Sequence, residues 1–381
     1  MASDLADPSS VLPINPPERL LLGPGPSTIH PRVMAAMSAP LVGHMDPYFF
    51  RIMDEIQLML RPVFGTDNPV TLAVPGTGTA AMEAALANLL EPADPVLVCV
   101  SGFFGQRLAE VAERQGAQLH ILEQDFGKAF TAEEIGAALE AHPAKVVGIV
   151  HAETSTGVLQ PLAHIADTVH RAGALLLVDA VTSLGGLPVE VDDFGIDVCY
   201  SCSQKCLGAP PGFSPITLGP RAQAALRSRK TPPASYYLDM NLLDSYWGPN
   251  HPYHHTAPIS NAFGLHEALR LVHEEGLAER CGRHRRVAEL LWEGLEAMGI
   301  ELFVPAEFRL PALTTVRVPE GVDDGQVRRR LLEEHNVEIG AGFGNLKGKI
   351  WRIGLMGYSC RTESVLLLLA ALERILSARV R

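Results

Sequence analysis

Two short apolar runs, each leading into a charged residue, constrain this chain more than any other feature. The stretch from Leu175 to Gly212 reads LLLVDAVTSLGGLPVEVDDFGIDVCYSCSQKCLGAPPG. Leu175 to Val178 is strand-like and ends in Asp179. After a turn-rich interval, Val198 to Ser201 makes a second run that leads into Gln204 and Lys205. One carboxylate and one lysine therefore follow two separate buried strands. Open α/β sheets place their chemistry at the carboxyl ends of strands, so both residues are candidates for a single site.

The rest of the chain supplies the sheet that such a pair needs. VTLAVPGTGTAAMEAALANLLEP (70–92) reads as a strand, a glycine-rich turn and a helix, with Thr77 or Thr79 as cap. The pattern recurs as strand Val96 to Val100, turn Ser101-Gly102 and helix Gln106 to Gln115, then strand Gln118 to Leu122 and helix Thr131 to Glu140. Lys145 to His151 is another strand, Glu153 to Gly157 its loop, and Pro161 to Ala172 the next helix. This alternation predicts an α/β fold with a mostly parallel sheet covered on both faces. Ile216 to Leu218 is expected as an edge strand. Residues 230–258, rich in Pro, Tyr and His, show no clear periodicity and are expected as a long loop. Ser260 to Gly276 and Ala278 to Met298 are helical, with a break expected near Cys281-Gly282. From Glu301 onward the pattern becomes α+β. We divide the chain into an extended arm (1–18), a large domain (19–260) and a small carboxyl-terminal domain (261–381).

Composition narrows the function. A length of 381 residues with 47% apolar and 19% charged residues suits a globular enzyme with a sizeable core. A formal net charge of −12 argues against nonspecific nucleic-acid binding. No apolar run is long enough for a membrane span, and MASDLADPSS lacks the basic-then-apolar layout of a signal peptide. Six cysteines in a chain this long do not make a disulfide framework, and a reducing cytoplasm is expected. Cys199, Cys202 and Cys206 cluster without a matching second pair, and HPYHH (251–255) lacks the HExxH pattern, so no metal is expected.

The candidate residues fit the needs of pyridoxal phosphate (PLP). That cofactor requires an amine for its aldehyde, a carboxylate for its pyridine nitrogen, donors for its phosphate and surfaces for its ring. Lys205 is the amine candidate, because the other lysines do not follow a buried strand; a surface lysine at a strand end is the competing reading. Asp179 suits the ring nitrogen, since an acid after four apolar residues is costly unless partnered; magnesium binding or loop capping would also use it. In PGTGTAAM, Gly78 and Thr79 sit where helix-start amides face an anion, although a plain capped turn reads the same. Gln204 can add a donor. Phe104 can stack on the ring, with Phe103 as the alternative core aromatic. Thr154 can donate to the phenolic oxygen or merely cap its loop, and Val181 can lie beneath the ring or in the core. Arg352, in the strand IWRIG, suits a substrate carboxylate or a structural ion pair, and Gly25 can line the same pocket.

Taken together, LLLGPGPS (20–27), FFGQR, ETSTGVLQP, LLLVDAVTSLGG, SQKCLGAPPG, YHHTAPIS and WRIGLMG resemble the class V, fold-type I PLP aminotransferases, and within them the alanine–glyoxylate and serine–glyoxylate group. The resemblance spans almost the whole chain. It implies a seven-stranded, mostly parallel sheet in the large domain. It also implies roles for particular residues: Lys205 as the Schiff-base lysine, Asp179 at the pyridine nitrogen, Thr154 at the phenolic oxygen and Val181 under the ring. Gly78, Thr79 and Gln204 fall at phosphate-contacting positions, with Tyr253 and Thr256 reaching the phosphate from a second subunit. A homodimer with shared sites follows. Arg352 matches the substrate-carboxylate arginine, and Phe104 stands where the group commonly carries tryptophan. The implied reaction is ping-pong transamination from alanine, or serine, to glyoxylate. Cysteine desulfurases share the fold, but Cys360 in GYSCRTES does not sit in their catalytic pattern.

Overall fold

The computed structural model describes residues 11–377. The arm expected over 1–18 thus lies partly outside the described residues; its described part, 11–18, is exposed and without regular structure. The large sheet has seven strands: β1 (Val70–Gly76), β2 (Pro95–Val100), β3 (Gln118–Glu123), β4 (Val146–Val150), β5 (Leu175–Asp179), β6 (Val198–Tyr200) and β7 (Gly212–Leu218). Their order across the sheet is β1-β7-β6-β5-β4-β2-β3. The neighbours from β6 to β3 pair in parallel, and β7 is antiparallel to both β6 and β1. The β5 register sets Asp179 beside Val150 on one side and beside Tyr200 on the other.

Three local expectations are corrected. The segment with Ile216 to Leu218 is not at the edge: β7 lies between β6 and β1, because the chain doubles back at Gly212 and inserts antiparallel. Apolar patterning marks a strand but carries no information about its neighbours. Within 230–258 a helix forms at Met240–Trp247, started by Asp239, whose side chain accepts from the Asn241 amide at 2.9 Å. Its buried Met240, Leu243 and Trp247 are helically spaced. Finally, the break falls at Gly276 (φ 84°), and the helix Leu277–Ala297 runs unbroken through Cys281-Gly282. A mid-helix glycine costs about 1 kcal/mol, and burial of Val287, Ala288, Leu291, Trp292 and Leu295 along that helix outweighs it.

A second, three-stranded antiparallel sheet holds β8 (Leu313–Arg317), β9 (Gly340–Ala341) and β10 (Ile350–Gly354), with β10 in the middle. The two main clusters of buried apolar residues are one between Val33 and Val272 and one that gathers Leu22 with residues from Val287 to Ile375, and two smaller clusters, one of them joining Cys206 with Leu313 and Met356, lie beside them. Leu22 belongs to the second cluster because Leu20–Leu21 pairs in parallel with Val337–Glu338. The amino-terminal chain then continues from the second core to the first, crossing the ends of the large-sheet strands. Among the described residues, no helix is long and apolar enough to cross a membrane.

Candidate active site

The turns that follow β2, β4, β5 and β6 all leave the same edge of the large sheet, as the parallel pairing requires. Asp179 closes β5 and is 2% exposed. Its Oδ1 accepts from the Val181 amide and its Oδ2 from the Tyr200 hydroxyl, both at 2.8 Å. Burial pushes its pKa from 3.8 up to about 6 despite those two bonds and the nearby Lys205. The structure has thus placed a carboxylate where burial favours its neutral form and a further cationic partner would favour the ion. Tyr200 was not singled out in the sequence; its position at the end of β6, in register with Asp179, is the signal that reveals it.

Lys205 lies in the turn after β6. Its ammonium donates to the Pro24 carbonyl, and burial first, with Arg352 adding to it, holds its pKa below the ordinary lysine range. The 24–27 segment grips the turn: Ser27 N donates to Gln204 O and Ser27 Oγ to Lys205 O, both at 3.0 Å. Gly25 has φ +105°, a conformation that demands glycine, and a Cβ there would meet the tip of the Lys205 side chain.

The helix Gly78–Leu89 begins beside this turn. Its cap residue Thr77 makes no side-chain capping bond, which leaves the first-turn amides without that partner. A Cβ on Gly78 would stand 2.9 Å from Val181 Cγ2 and 3.5 Å from Cys202 Cβ, so Gly78, Val181 and the β6 turn crowd together, with Thr79 next in the helix. Gln204 adds a buried Oε1 with no protein partner.

Arg352, from β10 of the second sheet, reaches across to the first. Its Nε donates to Ala341 O at 2.6 Å and its Nη1 to Thr154 O at 3.1 Å. It makes no ion pair within 4 Å among the described residues; it stacks 4.1 Å from the Phe343 ring centroid. Burial lowers its pKa to about 10, while Glu153 opposes the shift. Glu153 is the second residue that the sequence reading did not single out, although it stands in the quoted ETSTG motif. It is 1% exposed. Its Oε2 accepts from the Phe104 and Gly105 amides at 3.1 and 3.2 Å, and its Oε1 from Ser155 N and Oγ at 3.0 and 2.6 Å. Ser155 Oγ in turn accepts from Phe103 N at 2.9 Å. A buried anion thus anchors the start of the helix Phe103–Arg114, where the macrodipole favours it. Phe103 is 36% exposed, so it is not a core aromatic.

Lys205, Asp179, Gly25, Gly78, Thr79, Phe104, Thr154, Val181, Gln204 and Arg352 therefore gather around the strand ends. Tyr253 and Thr256 do not share these contacts. Both are exposed, Tyr253 by 63%, with its ring 5.6 Å from that of His44. The thiols of Cys199, Cys202 and Cys206 are buried and free, and Cys206 Sγ lies 3.1 Å from Thr182 O.

The family model for class V aminotransferases matches residues 20–363. The chain belongs to the class V aminotransferases. This class V enzyme is 45% identical to the alanine–glyoxylate aminotransferase of Callithrix jacchus over 98% of its own length and 91% of that protein. It is 42% identical to the (S)-ureidoglycine–glyoxylate transaminase of Bacillus subtilis (strain 168), over 94% of its length and 91% of the other. A crystal structure of alanine–glyoxylate aminotransferase from Nostoc sp. superposes with a TM-score of 0.95 at 54% identity, covering 96% of this chain and 97% of that one.

Proposed function

We propose that this aminotransferase uses PLP to move the amino group of alanine to glyoxylate, giving pyruvate and glycine in a ping-pong sequence. The observation that carries the reading is the meeting of a buried amine, a buried acid and a buried arginine: Lys205 feels both Asp179 and Arg352. Relatives named for alanine and glyoxylate, over nearly the full chain, support the substrates.

The residues present fit the cofactor. When bound, PLP supplies an aldehyde that holds the amino group and a protonated ring that draws electrons from the bond being broken. Asp179, raised to about 6 by burial, would gain the cationic partner that it lacks by holding the proton of the ring nitrogen. The uncapped amides at Gly78 and Thr79 and the donor Nε2 of Gln204 would hold the phosphate. Tyr253 and Thr256 would reach it from the second subunit of a homodimer, in keeping with their exposure. Phe104 and Val181 would flank the ring, and the Thr154 hydroxyl would donate to the phenolic oxygen. Lys205, with its depressed pKa, is more readily neutral than an exposed lysine, and a neutral amine can take the proton from the substrate Cα and return it. Arg352 would hold the substrate carboxylate through its guanidinium fork, with Gly25 lining the same pocket. The first apolar core reaches Val272 and the second gathers residues from Val287 onward, which supports two domains with the helix Ile259–Glu275 packed on the large one, and the free cysteines accord with a reducing cytoplasm.

Two experiments test this reading. Borohydride reduction of the PLP-loaded protein should place the label on Lys205, and Lys205→Ala should lose the label and about 100- to 10,000-fold in kcat. A donor panel of alanine, serine, cysteine and (S)-ureidoglycine, each with glyoxylate or pyruvate, should give glycine and pyruvate from alanine and glyoxylate. Serine preference would move the assignment within the group. No glycine, with sulfide released from cysteine, would overturn it.

A further inference from the structure

Leu207 and Gly208 follow Lys205 in its turn, and both also line a separate cavity of about 450 Å³. None of the site residues named above lines it. The other walls come from the helices Ile259–Glu275 and Leu277–Ala297 and from the 357–361 segment.

The charges around this cavity do not balance. Glu275 accepts from Arg280 at 2.7 Å and from Arg283 at 2.5 Å, so one carboxylate serves two guanidinium groups. Glu274 is held by Arg32 and Arg270, which also share Glu267. Arg361, which lines the cavity too, has no acid among the described residues. Its guanidinium lies 4.3 Å from the Tyr358 ring centroid, and its Nε is buried without a hydrogen-bond acceptor. Three arginines, Arg280, Arg283 and Arg361, and two glutamates, Glu274 and Glu275, therefore line the cavity, and Glu274 is already held by Arg32 and Arg270 from outside it, in a chain whose overall charge is −12. His30 completes the rim: its Nδ1 accepts from the Arg32 amide at 3.1 Å, which leaves the ring proton on Nε2 as a further donor. An unmet buried donor and a local cationic excess in a cavity are the features of an oxyanion site.

We propose that this cavity is a second binding site, distinct from the catalytic pocket, for a small doubly charged oxyanion: a phosphate or a short dicarboxylate, held by Arg361 with Arg283 and His30. The site touches the catalytic turn through backbone. Arg280 Nη2 donates to Cys206 O at 2.7 Å, and Arg283 Nη1 to Gly357 O at 3.2 Å. Gly357 itself packs on the turn, where an added Cβ would lie 3.2 Å from Cys206 O and 3.3 Å from Lys205 O.

The test uses the full chain loaded with PLP, so that the catalytic phosphate position is filled. Inorganic phosphate and succinate are titrated by calorimetry at fixed ionic strength, with acetate as the monoanion control. Saturable binding of either dianion is expected, weakened about tenfold or more in Arg361→Gln and unchanged in Arg352→Gln. Arg361→Lys, which keeps the charge but not the flat fork, should bind between wild type and Arg361→Gln, and both variants should keep the wild-type kcat. Phosphate alone saturating identifies an inorganic ion, and succinate alone a metabolite carboxylate. Equal affinity in Arg361→Gln, loss in Arg352→Gln, equal binding of acetate, or no saturation would each overturn the proposal.

Discussion

At the scale of single residues, this site is made of groups that water would rather keep. Asp179 carries the clearest signature. Its folded pKa, about 6, lies above the ordinary 3.8 because burial disfavours the ion. Between those values the folded apoprotein binds more protons than the unfolded chain. Its stability contribution is therefore intact below about pH 4 and falls as pH rises to about 6, by about 3 kcal/mol in all. Urea unfolding of the apoprotein from pH 4 to 7 should show this decline in the wild type relative to Asp179→Asn, which has no charge to bury; parallel curves would refute it. Glu153 makes the complementary case. Both of its oxygens accept from N–H or O–H donors, so the NH₂ of Glu153→Gln must face donors. We expect a loss of about 1–3 kcal/mol in stability and a raised KM for the amino acid, because Glu153 holds the Phe104 turn and opposes the depressed pKa of Arg352. Stability loss with unchanged KM would reduce Glu153 to a structural anchor.

At the scale of elements, position comes from where strands stop and helices start. The helix Gly78–Leu89 offers uncapped amides only if its first turn can lie against Val181, and the 2.9 Å that a Cβ on Gly78 would leave to Val181 Cγ2 shows how little room exists. Alanine is the better helix former by about 1 kcal/mol, so Gly78→Ala should leave the helix intact and push its first turn away. The expected outcome is an increase of about tenfold in the Kd for PLP, measured by fluorescence quenching, with apoprotein circular dichroism unchanged. Unaltered affinity would show that this turn does not hold the phosphate. The β7 insertion belongs to the same scale. Its residues read as a strand from their pattern alone, but the doubling back at Gly212 decides that it lies between β6 and β1.

At the scale of the molecule, Lys205 follows a strand of the first core and Arg352 lies on a strand of the second, and the 20–27 segment ties those cores together. The exposed Tyr253 and Thr256 extend the argument to a second subunit. If they serve a neighbour's site, Lys205→Ala and the double variant Tyr253→Phe/Thr256→Ala are each impaired at both sites of a homodimer. Refolding the two together should then yield heterodimers with one wild-type site, and activity above the sum of the parents. Purely additive activity would place both residues in their own subunit's pocket.

Much of this was legible in the residues. The βα alternation, the acid after LLLV, the lysine after VCYS and the glycine-rich turn are local patterns, and local patterns follow from backbone geometry and from the cost of burying charge. The whole-chain resemblance added Tyr253 and Thr256, which spacing could not. Tyr200 and Glu153 were not singled out, because their importance lies in what they touch: one meets Asp179 across a strand register, the other meets amides about 50 positions earlier in the chain. The helix at Met240–Trp247 is hidden in the sequence because proline, tyrosine and histidine around it mask a short apolar period. Secondary structure and chemical type are decided within a few residues of each position, and sequence determined them. Pairing, the imbalance of charge around the second cavity and the reach of Arg352 to Thr154 depend on groups far apart in the chain, and only packing in three dimensions could decide them.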